Sequence, residues 1–97
     1  MSAIGLIATL RAQPGKEEEL EALFNNELAP AVRANEPGNS YYRLFRTDEP
    51  GVYKVLECYD DAAALDAHGS TDHFRALGPR LGACLAGRPE LERLNAV

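Results

Sequence analysis

The 97-residue sequence predicts an α+β fold in the order β-α-β-β-α-β, with one antiparallel sheet and its helices on one face. Three observations predict it. Short apolar or aromatic runs bounded by turn residues alternate with segments whose apolar residues recur every three to four positions. Two of the short runs, 40–47 and 52–59, are joined by Asp48-Glu49-Pro50-Gly51, a hairpin connection. The length suits one domain, 1–97, with no linker or low-complexity tract to divide it.

The first strand is Ile4-Gly5-Leu6-Ile7-Ala8-Thr9-Leu10, closed by Gln13-Pro14-Gly15. The period then changes, and Leu20, Leu23, Phe24, Leu28, Ala31 and Val32 follow helical spacing. Glu17, Glu18 and Glu19 crowd the first turn, where the helix dipole favours acids. Pro30 is expected to kink or end this helix, and Pro37-Gly38 to stop whatever remains. The second strand, 40–47, carries Tyr41, Tyr42 and Phe45, and the third is 52–59. Asp60 or Asp61 caps a short helix over 62–68, which Gly69 breaks. Ser70 or Thr71 caps a further helix with Phe74, Leu77, Leu81 and Leu85 on one face, weakened at Gly78-Pro79. Gly87-Arg88-Pro89 ends the helical region, and 90–96 forms the last strand. This is a ferredoxin-like pattern.

The strands carry apolar residues on both faces. Ile4, Leu6, Ala8 and Leu10 share one face, and Ile7 lies on the other beside Gly5 and Thr9. The hairpin places Leu44, Tyr53, Val55 and Tyr59 in one set and Tyr41, Phe45, Leu56 and Cys58 in the other. Helices cover one face. A second copy of the sheet is the economical cover for the other, so a homodimer is expected.

Ten basic residues are scattered among fifteen acidic ones, for a net charge of −5, which argues against nucleic acid or an anionic membrane as a partner. The apolar run over 3–10 is too short to span a bilayer and has no basic leader or cleavage site, so a cytoplasmic protein is expected. Cys58 and Cys84 form no CxxC and read as small buried hydrophobes in a reducing compartment.

The common nucleotide, flavin, nicotinamide and zinc motifs do not occur, so no cofactor and no metal are expected. His68 and His73 stand five apart across Gly69, which is not the spacing of a helical metal pair. If Thr47 pairs with Val52, then Tyr42 faces Glu57 and Ser40 faces Tyr59, with Leu44 and Val55 on the same face. A carboxylate flanked by two phenols on an apolar sheet face suits a substrate pocket; the alternative pairs Glu57 with Arg43 or Arg93. His68 follows Leu65 by three positions and leans toward the sheet. It is a candidate general base near neutral pH, or a hydrogen-bonded histidine that ends its helix. His73, beside Phe74 in a first helical turn, is expected to be partly exposed, with a pocket role.

The segments Leu10-Arg-Ala-Gln-Pro-Gly-Lys, Glu36-Pro-Gly-Asn, Tyr42…Leu44-Phe45, 56–68 and Asp72-His-Phe74 resemble the antibiotic-biosynthesis-monooxygenase family along nearly the whole chain. The resemblance implies a dimeric α+β barrel whose two sheets face each other. It also implies a choice among activities: oxygenation of phenols or quinols without metal or flavin, haem degradation, or isomerisation of a phosphorylated autoinducer-2 derivative. The haem-degrading branch uses an Asn, a Trp and a His, where this sequence has Ala8, His68 and Gly78 and no Trp at all, which sets that activity aside. Tyr59 stands where the oxygenases often carry Trp, and Glu36-Pro-Gly-Asn39 and Glu57-Cys-Tyr59 are somewhat closer to the isomerase.

The leading reading is a cofactor-independent monooxygenase that combines O2 with an electron-rich aromatic, quinol or polyketide-like substrate. In it His68 is the base, Tyr42, Tyr59 and His73 bind substrate, and Glu57 sets polarity or tautomer. The alternatives are an isomerase of a small phosphorylated carbonyl compound and a non-catalytic dimeric ligand-binding domain.

Overall fold

The computed structural model describes residues 2–97. The chain runs β1 (Ile4–Arg11), α1 (Glu17–Leu23), a π-helical turn (Phe24–Leu28), α2 (Ala29–Asn35), β2 (Asn39–Arg46), β3 (Val52–Tyr59), α3 (Ala62–His68), α4 (Asp72–Ala83) and β4 (Glu90–Asn95). The strands form one antiparallel sheet in the order β2-β3-β1-β4. This is the ferredoxin-like α+β arrangement. Among the described residues no helix is long and apolar enough to cross a membrane.

Cross-strand pairing fixes which side chains share a face. Leu6 and Tyr42 both stand opposite Glu57, Ala8 and Leu44 opposite Val55, and Leu10 and Arg46 opposite Tyr53. That face meets the helices. Leu20, Phe24, Leu28 and Val32 descend the long helical segment at steps of four and are almost completely buried against it. On the outer face Tyr41, Phe45 and Leu94 remain exposed, with Ile7, Leu56 and Cys58 half-buried among them.

Four expectations need correction. Of the two outcomes expected at Pro30, a kink or an end, the end does not occur, and the helical segment continues to Asn35. The chain widens into a π turn just before it, where the Ala29 N–H reaches back five residues to the Phe24 carbonyl, and Pro30 then enters α2 within its first turn. Proline is tolerated there because it has no N–H to leave unpaired. Ser40 does not face Tyr59: a β-bulge between Asn39 and Tyr41 puts Asn39 opposite Tyr59, and the Ser40 hydroxyl donates to the Cys58 carbonyl. Leu85 lies beyond the end of α4 at Ala83 and forms a bridge with Ala12. The last strand closes at Asn95.

The hairpin register is the expected one. The Thr47 N–H donates to the Val52 carbonyl, Tyr42 is opposite Glu57, and Gly51 turns the loop at φ +80°, a region that favours glycine. Gly69 ends α3, and side chains cap both short helices: Asp61 accepts from the Ala64 N–H and Thr71 from the Phe74 N–H.

Candidate active site

A cavity of about 390 Å3 lies between the inner sheet face and the helices. Most of its wall is apolar, from Leu6, Ala8, Val55, Phe24, Phe74 and Leu91; its polar groups are Tyr42, Glu57 and His68, with Arg88 beside Pro89. Small-molecule sites commonly have this make-up, an apolar chamber with a few convergent polar groups.

The last residue of α3 supplies His68. Its ring is buried among three aromatic rings, with centroids 4.8 Å from Phe74, 5.4 Å from Tyr42 and 5.5 Å from Tyr59. Its Nδ1 lies 2.9 and 3.0 Å from the two oxygens of Glu36. A carboxylate only accepts hydrogen bonds, so Nδ1 carries a proton, and in the neutral ring the lone pair is then on Nε2. Among the described residues every fully buried side-chain nitrogen and oxygen has a partner. Among the described residues His68 Nε2 and the Tyr42 hydroxyl have no hydrogen-bond partner, and both residues line the cavity.

Glu36 is the residue that sequence reasoning missed. It follows α2 and begins a tight turn in which the Asn39 N–H donates to the Glu36 carbonyl. The turn sends the Glu36 side chain inward, where 7% of it is exposed. A signal was present: a helix C-terminus disfavours negative charge, so an acid there, before Pro37-Gly38, is out of place unless something else uses it. The turn also lies close under α3. A methyl group added at Gly38 would sit 2.6 Å from the Ala64 Cβ, so glycine is what allows the helix carrying His68 to approach the turn carrying Glu36.

Glu57 lines the same cavity as His68, from the sheet, and accepts a hydrogen bond of 2.6 Å from the Tyr59 hydroxyl. Burial pushes its carboxyl up to about 7, against the pull of the Tyr59 bond, and the nearby Glu36 charge adds to the rise. Burial, with the Glu57 charge beside them, also moves Tyr42 and Tyr59 well above the ordinary phenol range. Both phenols therefore remain hydrogen-bond donors at any working pH. Neither proposed arginine pairs with Glu57: Arg43 stands on the outer face over the Phe45 ring, and among the described residues Arg93 makes no ion pair with it.

Tyr42, Glu57 and His68 thus meet at one cavity. Tyr59, wholly buried, stands behind Glu57 and does not line the chamber. His73 opens instead on an outer cleft with Asn35, Ser70 and Asp72, while its Nε2 bonds Glu36. Among the described residues no three His, Cys, Asp or Glu side chains are placed to share a metal ion.

The family model for antibiotic biosynthesis monooxygenase matches residues 3–79. The chain belongs to the antibiotic biosynthesis monooxygenase family. The matched span holds Glu36, Tyr42, Glu57, His68 and His73 and leaves out β4. A crystal structure of a Caulobacter crescentus protein assigned to this family is 49% identical, covering 99% of this chain and 91% of that one, with a TM-score of 0.93. A Pseudomonas aeruginosa structure is 28% identical over 100% of this chain and 96% of its own, TM-score 0.83. A conserved protein of Methanosarcina mazei is 27% identical over 97% and 92%, TM-score 0.86. No curated protein matches the chain.

Proposed function

We propose that this member of the monooxygenase family oxygenates an electron-rich aromatic or quinol with O2 and no cofactor, and that His68 is its base. The observation that carries the reading is the His68 ring: Nδ1 is held by Glu36, and Nε2 is free in an apolar chamber. A substrate C–H or O–H proton moves to Nε2, and the resulting anion is the electron donor to O2. For an anthrone, one oxygen atom enters the ring carbon as a carbonyl and the other leaves as water with the two hydrogens removed. Substrate supplies all the electrons, and His68 returns its proton to the departing oxygen. The chamber contributes exclusion of water and orientation, and the Tyr42 hydroxyl donates to a substrate oxygen.

Anthrone with an oxygen electrode tests this. His68→Ala should lower uptake above the spontaneous rate by ~10²–10⁴, the scale of a lost general base. Uptake at the spontaneous rate in the native protein, or full activity in the variant, would remove the proposal.

A second reading rests on Glu57. An acid poised at about 7 and an imidazole base on the wall of one cavity are the pair that proton shuttling at a carbonyl requires. An isomerase would exchange substrate hydrogen with deuterated solvent without consuming O2. The proposal also includes a homodimer, supported by the uncovered Tyr41, Phe45 and Leu94 on the outer sheet face.

A further inference from the structure

Glu36 serves two histidines, and only one of them borders the cavity. His73 Nε2 makes a short contact to Glu36 Oε2 and lies 3.1 Å from the Thr71 hydroxyl. Thr71 has a single hydroxyl proton, and it goes to the His68 carbonyl at 2.9 Å. Toward His73 the Thr71 oxygen can therefore only accept, and so can the Glu36 carboxylate. Both contacts require the proton on His73 Nε2. The two carboxylate oxygens of Glu36 are thus divided. Oε1 and Oε2 share the His68 Nδ1–H, and Oε2 also takes the His73 Nε2–H.

We propose that His73 is a positioning residue for the His68 base, acting through Glu36 rather than on the substrate; the inference rests on His68 being that base. With both donors in place Glu36 is an acceptor on each side, which fixes the His68 proton on Nδ1 and leaves Nε2 bare toward the cavity. Without His73 one oxygen of a buried carboxylate loses its donor, and burial penalises an unpaired charge. The carboxylate is then free to turn from Nδ1 toward other donors, and His68, no longer held as a donor from Nδ1, can carry its proton on Nε2 instead, which takes the lone pair away from the cavity. His73 reaches this point from outside: α4 begins at Asp72, and Thr71, its cap, is bonded to the last turn of α3, so the two helix ends hold both rings against one carboxylate. Among the described residues the other ionisable groups near the pair are Glu57, Tyr42 and Tyr59 on the sheet side of His68, Arg88 on the wall of the same cavity, and Asp72 on the cleft side of His73.

Nitrogen-15 NMR of histidine-labelled protein reads the tautomer directly, and needs no substrate, so it stands whether or not anthrone is turned over. Native protein should show neutral His68 protonated on Nδ1. His73→Ala should raise the Nε2-protonated fraction on the order of tenfold, the scale of one lost hydrogen bond to a charged group. His73→Gln, which keeps an N–H at the same reach, should keep the native tautomer. His73→Gly with added imidazole should regain it, because the vacated place opens on the outer cleft. An unchanged His68 tautomer in folded His73→Ala, or a glutamine variant indistinguishable from alanine, would overturn the proposal.

Discussion

Replacing Glu57 by glutamine removes an ionisable group from the cavity wall while keeping its shape and its acceptor for the Tyr59 hydroxyl. The Glu57 carboxyl sits at about 7 in the folded protein against an ordinary 4.5. At ~1.4 kcal/mol per pH unit, that difference is worth about 3 kcal/mol. The sign follows from proton binding. The folded state holds this proton more tightly than the unfolded chain, so the contribution is complete below about 4.5 and is lost as pH rises through about 7. Native protein should therefore lose about 3 kcal/mol more than Glu57→Gln between pH 5 and pH 9, and the variant should be the more stable at the alkaline end. Urea unfolding of both proteins at fixed salt measures this. With an m-value of ~1–3 kcal/mol/M, the gap between the two midpoints should change by about 1–3 M across the range. Charges that do not interact with Glu57 act on both proteins and cancel in the difference. A gap that stays flat with pH, or one that grows in favour of native protein as pH rises, would refute the assignment of a buried, proton-holding Glu57.

Other changes report on different parts of the molecule. Thr71→Ala removes the cap of α4 and should cost ~1 kcal/mol in thermal unfolding, as should Asp61→Ala for α3. Leu28→Ala opens a cavity at a fully buried position and should cost ~2–5 kcal/mol. Sedimentation equilibrium at micromolar concentration should give about twice the 10.6 kDa chain mass, and a clean monomer would remove the homodimer.

How far the sequence can be read depends on the range over which each instruction acts. The Tyr42–Glu57 pairing was legible because a short hairpin loop sets register locally and the period of two carries it along both strands. The same reasoning failed at Ser40, because the bulge between Asn39 and Tyr41 inserts a residue into the count and none of its own residues is a proline or glycine. Pro30 was legible only in part: its missing N–H was visible, but the π turn that lets the helical segment run on past it was not. His68 could be placed by its distance from Leu65, a contact within one helix. Glu36 could not, because its partner lies 32 positions away and meets it only through the packing of a turn under α3. His73 was expected at a pocket and stands on the opposite side of Glu36 from it, because one residue's rotation around the first turn of α4 separates the His73 face from the Phe74 face.

The close approach of Gly38 to Ala64 couples two positions that have no chemistry of their own. A methyl group gained at 38 has to be given up at 64, or α3 lifts and carries His68 away from Glu36. The two sites therefore hold one shared volume. Glycine at 38 and alanine at 64 are interchangeable in principle only as a pair, so each single step between those states passes through a chain with either a clash or a gap. In sequence space this is epistasis of the sign-changing kind: Ala64→Gly, mildly harmful alone, becomes the rescue for Gly38→Ala. Engineering that enlarges the cavity by moving α3 meets this pair before it meets any residue that touches substrate.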